Sequence, residues 1–128
     1  WKKIMLENQN PQTVFFFYSY YSLRDHKGEL FSQYKLVDWL HQRSRVPDFG
    51  GAGWHVEGGL LASYATSGAI QGRSAARIAL RVLRGETAGN IAIKLPPEFE
   101  VAVNLDRAKQ LGIEVPLDIL AIARVFKK

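Results

Sequence analysis

Cysteine is absent from this chain, which excludes disulfides and thiolate chemistry while leaving the redox compartment open. Histidine is scarce. The three present, His26, His41 and His55, are scattered without the paired spacing of a metal site, so no metal is expected. No apolar run approaches the roughly 20 residues that cross a bilayer. Val14-Phe15-Phe16-Phe17-Tyr18 is very apolar but far too short, and it reads as a fully buried strand. Also missing are a GxSxG elbow, an HExxH pair and a GxxxxGK[ST] phosphate loop. The run Gly50-Gly51-Ala52-Gly53 lacks the order, and the immediately following helix, of a dinucleotide fingerprint. Asp25 and His26 are adjacent, but no third member completes a nucleophilic triad. No catalytic residue and no cofactor emerge, and an enzyme is not expected.

What is present suits a folded domain. The 128 residues, 47% of them apolar, can bury a real core. The net charge of +5 permits attraction to anions, yet it is dispersed apart from one helix. No signal peptide is visible. The chain opens at Trp1 in a helical spacing, so its first residues are expected not to be the natural start of the gene product.

The stretch from Val46 to Glu86 organises the rest. A strand signal at Val46–Gly50 leads to a glycine-rich loop with Trp54 and His55, then to a second apolar run at Leu60–Ala65. The elbow Thr66-Ser67-Gly68 opens a long helix that Gly85 stops. Upstream, Thr13–Tyr18 reads as a central parallel strand covered by helices on both faces. Gln33–Arg43 reads as an amphipathic helix ending in a solvated His41. Downstream, residues 87–98 form a linker and Phe99–Leu105 a further strand. Asp106 or Asn104 can cap a short helix that stops at Gly112, and a last helix starts at Pro116 and runs through Phe126. Strand, loop and helix in this order describe an open α/β sheet, which places ligands at the carboxyl ends of its strands.

Two loops and one helix end are therefore candidate ligand elements. The loop after the first strand carries Tyr20, Tyr21, Arg24 and Asp25, suited to a small polar or aromatic molecule. The alternative is that its tyrosines pack down and that Arg24 and Asp25 form a surface pair. Ser67 stands at the amino end of the long helix, where free N–H groups favour an anion, although Ser67 or Thr66 would cap that helix in any protein. Along the helix, Ile70, Ala75, Ile78, Ala79, Val82 and Leu83 form the stripe expected to be buried, and Arg73, Arg77, Arg81 and Arg84 share the other face. That face reads as solvated. Without interleaved aromatics, no nucleic-acid partner is expected.

With these pieces placed, the chain resembles the C-terminal half of the ABC-transporter substrate-binding family built on the type I periplasmic binding protein fold. The resemblance rests on YSLRDHKGEL, the helix with Val37-Asp38-Trp39, SRVPDFGG, EGGLLASYATSGAIQGRSAARIALRVLRGE, VNLDRAKQLGIEVP and the closing LDILAIARVF. It implies three-layer α/β lobes around a parallel sheet, joined by crossover strands, with the hinge near residues 60–68 and the long helix in the opposite lobe. A small molecule would sit between the lobes without catalysis, closing them by a hinge motion. Tyr20, Tyr21, Arg24, Trp54, His55 and Ser67 are the ligand contacts this implies, with Arg24 meeting an anionic group. The implied partners are a membrane permease and either the missing N-terminal half or a second copy. The implied location is periplasmic or extracytoplasmic.

A sensory input domain of a histidine kinase or cyclase is the alternative, and the closing AIARVFKK, which resembles a free family C-terminus, tilts the balance to transport. Amino-acid-binding relatives usually carry an Asp-Asn pair after the first strand and an aspartate before the long helix. This chain has Tyr20-Tyr21-Ser22 and Thr66-Ser67-Gly68 there, so the resemblance does not bring an α-amino acid ligand with it.

Overall fold

A computed structural model of the chain describes residues 1–19, 23–95 and 98–127. Five strands form one sheet in sequential order: β1 (Phe15–Phe17), β2 (Asp48–Gly50), β3 (Ala62–Ala65), β4 (Glu100–Asn104) and β5 (Ala123–Phe126). β1, β2 and β3 run parallel, β4 turns antiparallel to β3, and β5 is parallel to β4. The helices are α1 (Lys2–Glu7), α2 (Gln33–Arg43), α3 (Gly53–Glu57), α4 (Gly68–Leu83), α5 (Leu105–Leu111) and α6 (Leu117–Ile122). This is the mixed α/β, mostly parallel architecture that the sequence pattern implies.

One core holds the first half together. Leu36, Val37 and Leu40 recur at helical spacing on α2 and are buried with Met5 of α1 and Leu60. Phe15 and Phe17, alternate residues of β1, pack against them from the sheet. Ser32 caps α2, its hydroxyl accepting from the Lys35 N–H at 3.4 Å. Asn104 is the cap of α5, its side-chain oxygen accepting from the N–H groups of Asp106 and Arg107, and Gly112 ends that helix in the left-handed conformation (φ +69°).

A buried polar network ties distant elements together. The Arg107 guanidinium donates through Nε at 2.9 Å, and through Nη2, to Asp48 Oδ2, and both side chains are fully buried. The other Asp48 oxygen accepts from the Leu61 N–H at 2.7 Å. Arg107 Nη1 donates to Gln110, whose amide donates to the His41 carbonyl. One ion pair thus links β2, α5, the end of α2 and the entry to β3, with a partner for each buried charge.

Five expectations need correction. β1 is an edge strand with Phe16 and Val14 exposed, because no further strand or covering helix lies beyond it among the described residues. The segment with Trp54 and His55 is the short helix α3 rather than a loop, so a helix does follow the glycine run. The last helix stops at Ile122, and Ala123–Phe126 is a strand, because pairing along β4 outweighs a helical spacing too short to decide. His41 is part-buried, its Nε2 lying 2.9 Å from the Gly59 carbonyl, because α2 ends against the turn into β3. Only Ile70 of the α4 stripe is buried. Ile78, Val82 and Leu83 stay exposed, with the segment 91–95 lying beside α4 at Ile78 without covering the stripe.

Candidate ligand-binding site

The topology gathers five chain segments at one edge of the sheet. β1, β2 and β3 end there, and β4, running the other way, begins there with Glu100 paired to Ala65. β5 is parallel to β4, so Arg124 near its start comes to the same edge. Ligands in open α/β sheets bind at the carboxyl ends of strands. A cleft of about 320 Å³ lies at this edge, lined by Gly53, Trp54 and Glu57 of α3, Thr66, Ser67 and Gly68 of the α4 entry, and Glu100 and Arg124. Its size is at the low end of small-molecule pockets, roughly 300–1,000 Å³.

Small residues let α3 lie close over the sheet. Gly50, Ser63 and Ala102 are register partners across β2, β3 and β4, so they face the same side. A side chain at Gly50 would collide with His55, whose imidazole is buried there. Burial pushes the His55 pKa below its ordinary value, because a charged imidazole loses its water. Trp54 is 41% exposed, and its ring centroid lies 3.8 Å from that of His55. His55 therefore lies beneath the cleft, and Trp54 presents an indole to it.

Ser67 sits at the junction of β3 and α4. Its hydroxyl accepts from the Ile70 N–H at 3.3 Å, so it is the cap of α4 while it lines the cleft. Gln71 donates to the Thr66 hydroxyl at 3.0 Å and fixes the same elbow. The structure thus brings Trp54 and Ser67 together, from segments that the sequence separates by β3.

Arg24 lies elsewhere. It lines a separate hollow with Trp1, Lys2, Lys3, His26 and Phe31, and its Nη1 donates to the Gly28 carbonyl at 2.7 Å. Residues 23–31 form a tight turn in which the Asp25 carboxylate accepts from the Lys27 and Glu29 N–H groups. Those bonds, that from Lys27 foremost, hold the Asp25 pKa below its ordinary value. Tyr20 and Tyr21 lie outside the described residues. Sequence reasoning missed Glu57, Glu100 and Arg124. The strand alternation of 100–104 could have placed Glu100 at the sheet edge, but Arg124 was hidden in what read as a helix.

The arginines of α4 are exposed, as the helix pattern implied. Arg73 and Arg77 pair with Glu98, and Arg81 with Glu86, which lowers both glutamate pKa values through the guanidinium hydrogen bonds. No group of metal-ligating side chains occurs among the described residues, and no described helix is long and apolar enough to cross a membrane.

An open, mostly parallel α/β sheet with a cleft at the carboxyl edge of its strands is the build of a periplasmic binding protein lobe. The family model for ABC transporter substrate binding proteins matches residues 17–127, and the chain belongs to that family. Among solved structures, a conserved domain protein from Vibrio cholerae is 24% identical with a TM-score of 0.62, over 99% of this chain and 39% of its own. A substrate binding protein with adhesive properties from Clostridium difficile, in its ligand-free, open form, is 21% identical at TM-score 0.62 over 75% of this chain and 32% of its own. An ABC domain in complex with L-Trp from Streptococcus pneumonia is 25% identical at TM-score 0.54 over 72% of this chain and 32% of its own. The chain thus spans 32–39% of the length of these structures. Among curated protein sequences none matches significantly.

Proposed function

We propose that this chain forms the C-terminal part of a two-lobed solute-binding component of a bacterial ABC uptake system. It captures a small molecule outside the cytoplasm, without catalysis, and delivers it to a membrane permease. The observation that carries this reading is the convergence of Trp54, the Ser67 elbow, Glu100 and Arg124 on one cleft at the carboxyl edge of the sheet. The hinge falls near residues 60–68, where β3 leaves the sheet for α4, and the segment 87–98 returns the chain to β4. On this reading the other lobe packs on the exposed stripe of α4 and supplies the facing wall of the cleft. The ligand is enclosed when the lobes close.

A ring-bearing ligand suits the exposed indole of Trp54, and L-tryptophan, held by the similar Streptococcus structure, is the first compound to test. His55 supports Trp54 from beneath. Tyr20 and Tyr21, which follow β1 in the sequence, are further candidate contacts on this reading, whereas Arg24 lines the separate hollow beside Trp1. Native mass spectrometry of the intact protein, purified without denaturation, tests the reading. A co-purifying small molecule that is lost on Trp54→Ala supports it. Protein that carries nothing and binds no compound in a broad metabolite screen would overturn it.

A further inference from the structure

Tyr34 projects from α2, 71% exposed, with a hollow on either side of it. The first, of about 240 Å³, is lined by Gln33, Tyr34, Trp54, Glu57 and Gly58. The second, of about 300 Å³, is lined by Tyr34, Val37, Asp38, His41, Gly58 and Gly59. Sharing Tyr34 and Gly58, the two make one groove between α2 and the turn from α3 into β3. Its shape is set in advance. Gly58 and Gly59 bring that turn against α2, where an added Cβ would strike Gln33 or Val37, and His41 Nε2 holds the Gly59 carbonyl at 2.9 Å. An occupant therefore has little of the protein to reorder.

Charge decides what fits. The chain carries a net +5, yet among the described residues no lysine or arginine lines either hollow. Each holds one exposed carboxylate instead, Glu57 in the first and Asp38 in the second, and Asp38 enters no ion pair among the described residues. The described acidic and histidine side chains form no group that could hold a metal ion, so the complementary occupant is an organic cation. A small amine would fill one hollow and leave the other carboxylate unmatched. A chain that crosses Tyr34 reaches both, and the tyrosine ring between them offers apolar area and a face that attracts cations. We propose that this groove docks a basic segment of a partner protein, with one arginine or lysine in each hollow and an apolar side chain on Tyr34. Trp54 and Glu57 also line the cleft, so the groove opens onto its rim and the docked segment lies beside any molecule held there. The docking goes beyond the solute-binding reading and does not depend on what the cleft holds. The positive charge of the whole chain repels basic peptides in general, so affinity for one points to this local reversal of sign.

Fluorescence anisotropy on the intact protein tests the assignment, with a labelled, blocked peptide of alternating arginine and leucine as the probe. Its control carries glutamate in place of each arginine. The basic peptide is expected to bind, more weakly as salt rises, and the acidic one not to bind. Asp38→Asn should weaken the basic peptide by about threefold to tenfold, and Asp38→Lys should abolish its binding. Tyr34→Ala should weaken it by about tenfold. Asp118→Asn, which removes a carboxylate on α6 that lines neither hollow, should leave it unchanged. Asp38 and Tyr34 are exposed, so their variants should melt with the parent protein. Equal binding of the two peptides, equal effects of the Asp38 and Asp118 changes, or no peptide bound by the intact protein overturns the docking. Self-association that is lost in Tyr34→Ala, with no peptide bound, would give the groove to a second copy of the chain and overturns it as well. A co-purifying small molecule retained in any of these cases leaves the solute-binding reading standing.

Discussion

Arg107 and Asp48 lie far apart in sequence and share one buried ion pair, so each makes the other tolerable in the core. Removing one partner leaves a charge without compensation, whereas replacing both by apolar groups can be nearly neutral. Arg107→Met is therefore expected to destabilise the fold by about 3–5 kcal/mol, and the double replacement of Asp48 and Arg107 by apolar residues to recover most of that. Chemical denaturation of the two single variants and the double variant measures the coupling. Additive losses would show that the pair carries no special weight. His55 acts through a proton. Its folded pKa lies below the ordinary 6.5 because burial disfavours the charged ring. Below 6.5 the unfolded chain takes up a proton that the folded chain refuses, so stability is complete above that pH and is lost as pH falls towards the folded value. His55→Asn should flatten the fall in melting temperature between about pH 7 and 5. An unaltered slope would count against the buried imidazole.

Elements with strong local signals were legible, and those defined by long-range pairing were not. α2 and α4 announce themselves by periodicity and by Ser32 and Ser67 at their starts, and Asn104 and Gly112 bracket α5. β5 did not, because Ala123-Arg124-Val125-Phe126 fits both a helix end and a strand, and only its partner β4 decides between them. That ambiguity also hid a cleft residue. Half of the candidate site was visible, since Trp54 and Ser67 flank a strand signal, whereas Glu100 and Arg124 join it through register. α3 was missed because five residues after a glycine run are too few for periodicity, and tertiary packing over Gly50, Ser63 and Ala102 is what makes them helical. Ser67 has the clearest test at this scale. Ser67→Ala should cost about 1 kcal/mol through loss of the cap, and Ser67→Asp should restore it. Amide exchange at the first turn of α4 should speed up in the alanine variant alone; equal protection in all three proteins would show the cap to be idle.

At the scale of the whole molecule, apolar surface is left bare on α4 and on one face of the sheet. Ile78, Val82 and Leu83 lie along one side of α4, while its arginines turn to Glu98 and Glu86. On the sheet, Phe16, Tyr64 and Val125 are exposed on the face opposite α3, with Tyr64 stacked on Phe99 at 4.8 Å between centroids. β1 adds an edge whose outer hydrogen-bonding groups pair with no described strand. Ile78 and Val82 are 41% exposed and Leu83 82%, so covering the three fully gains about 2.5–5 kcal/mol, a driving force that adds to that of the bare sheet face. The solved relatives are about two and a half to three times as long as the part matched here, which is the scale of chain needed to cover both surfaces. The 128-residue chain on its own is therefore expected to self-associate and to bind a hydrophobic dye. Light scattering after size exclusion should show mass rising with concentration, and Ile78→Lys with Leu83→Glu should return the chain towards a monomer. A dye-silent monomer at high concentration that still binds ligand fully would mean that the facing lobe is dispensable, and with it the two-lobed reading of the cleft.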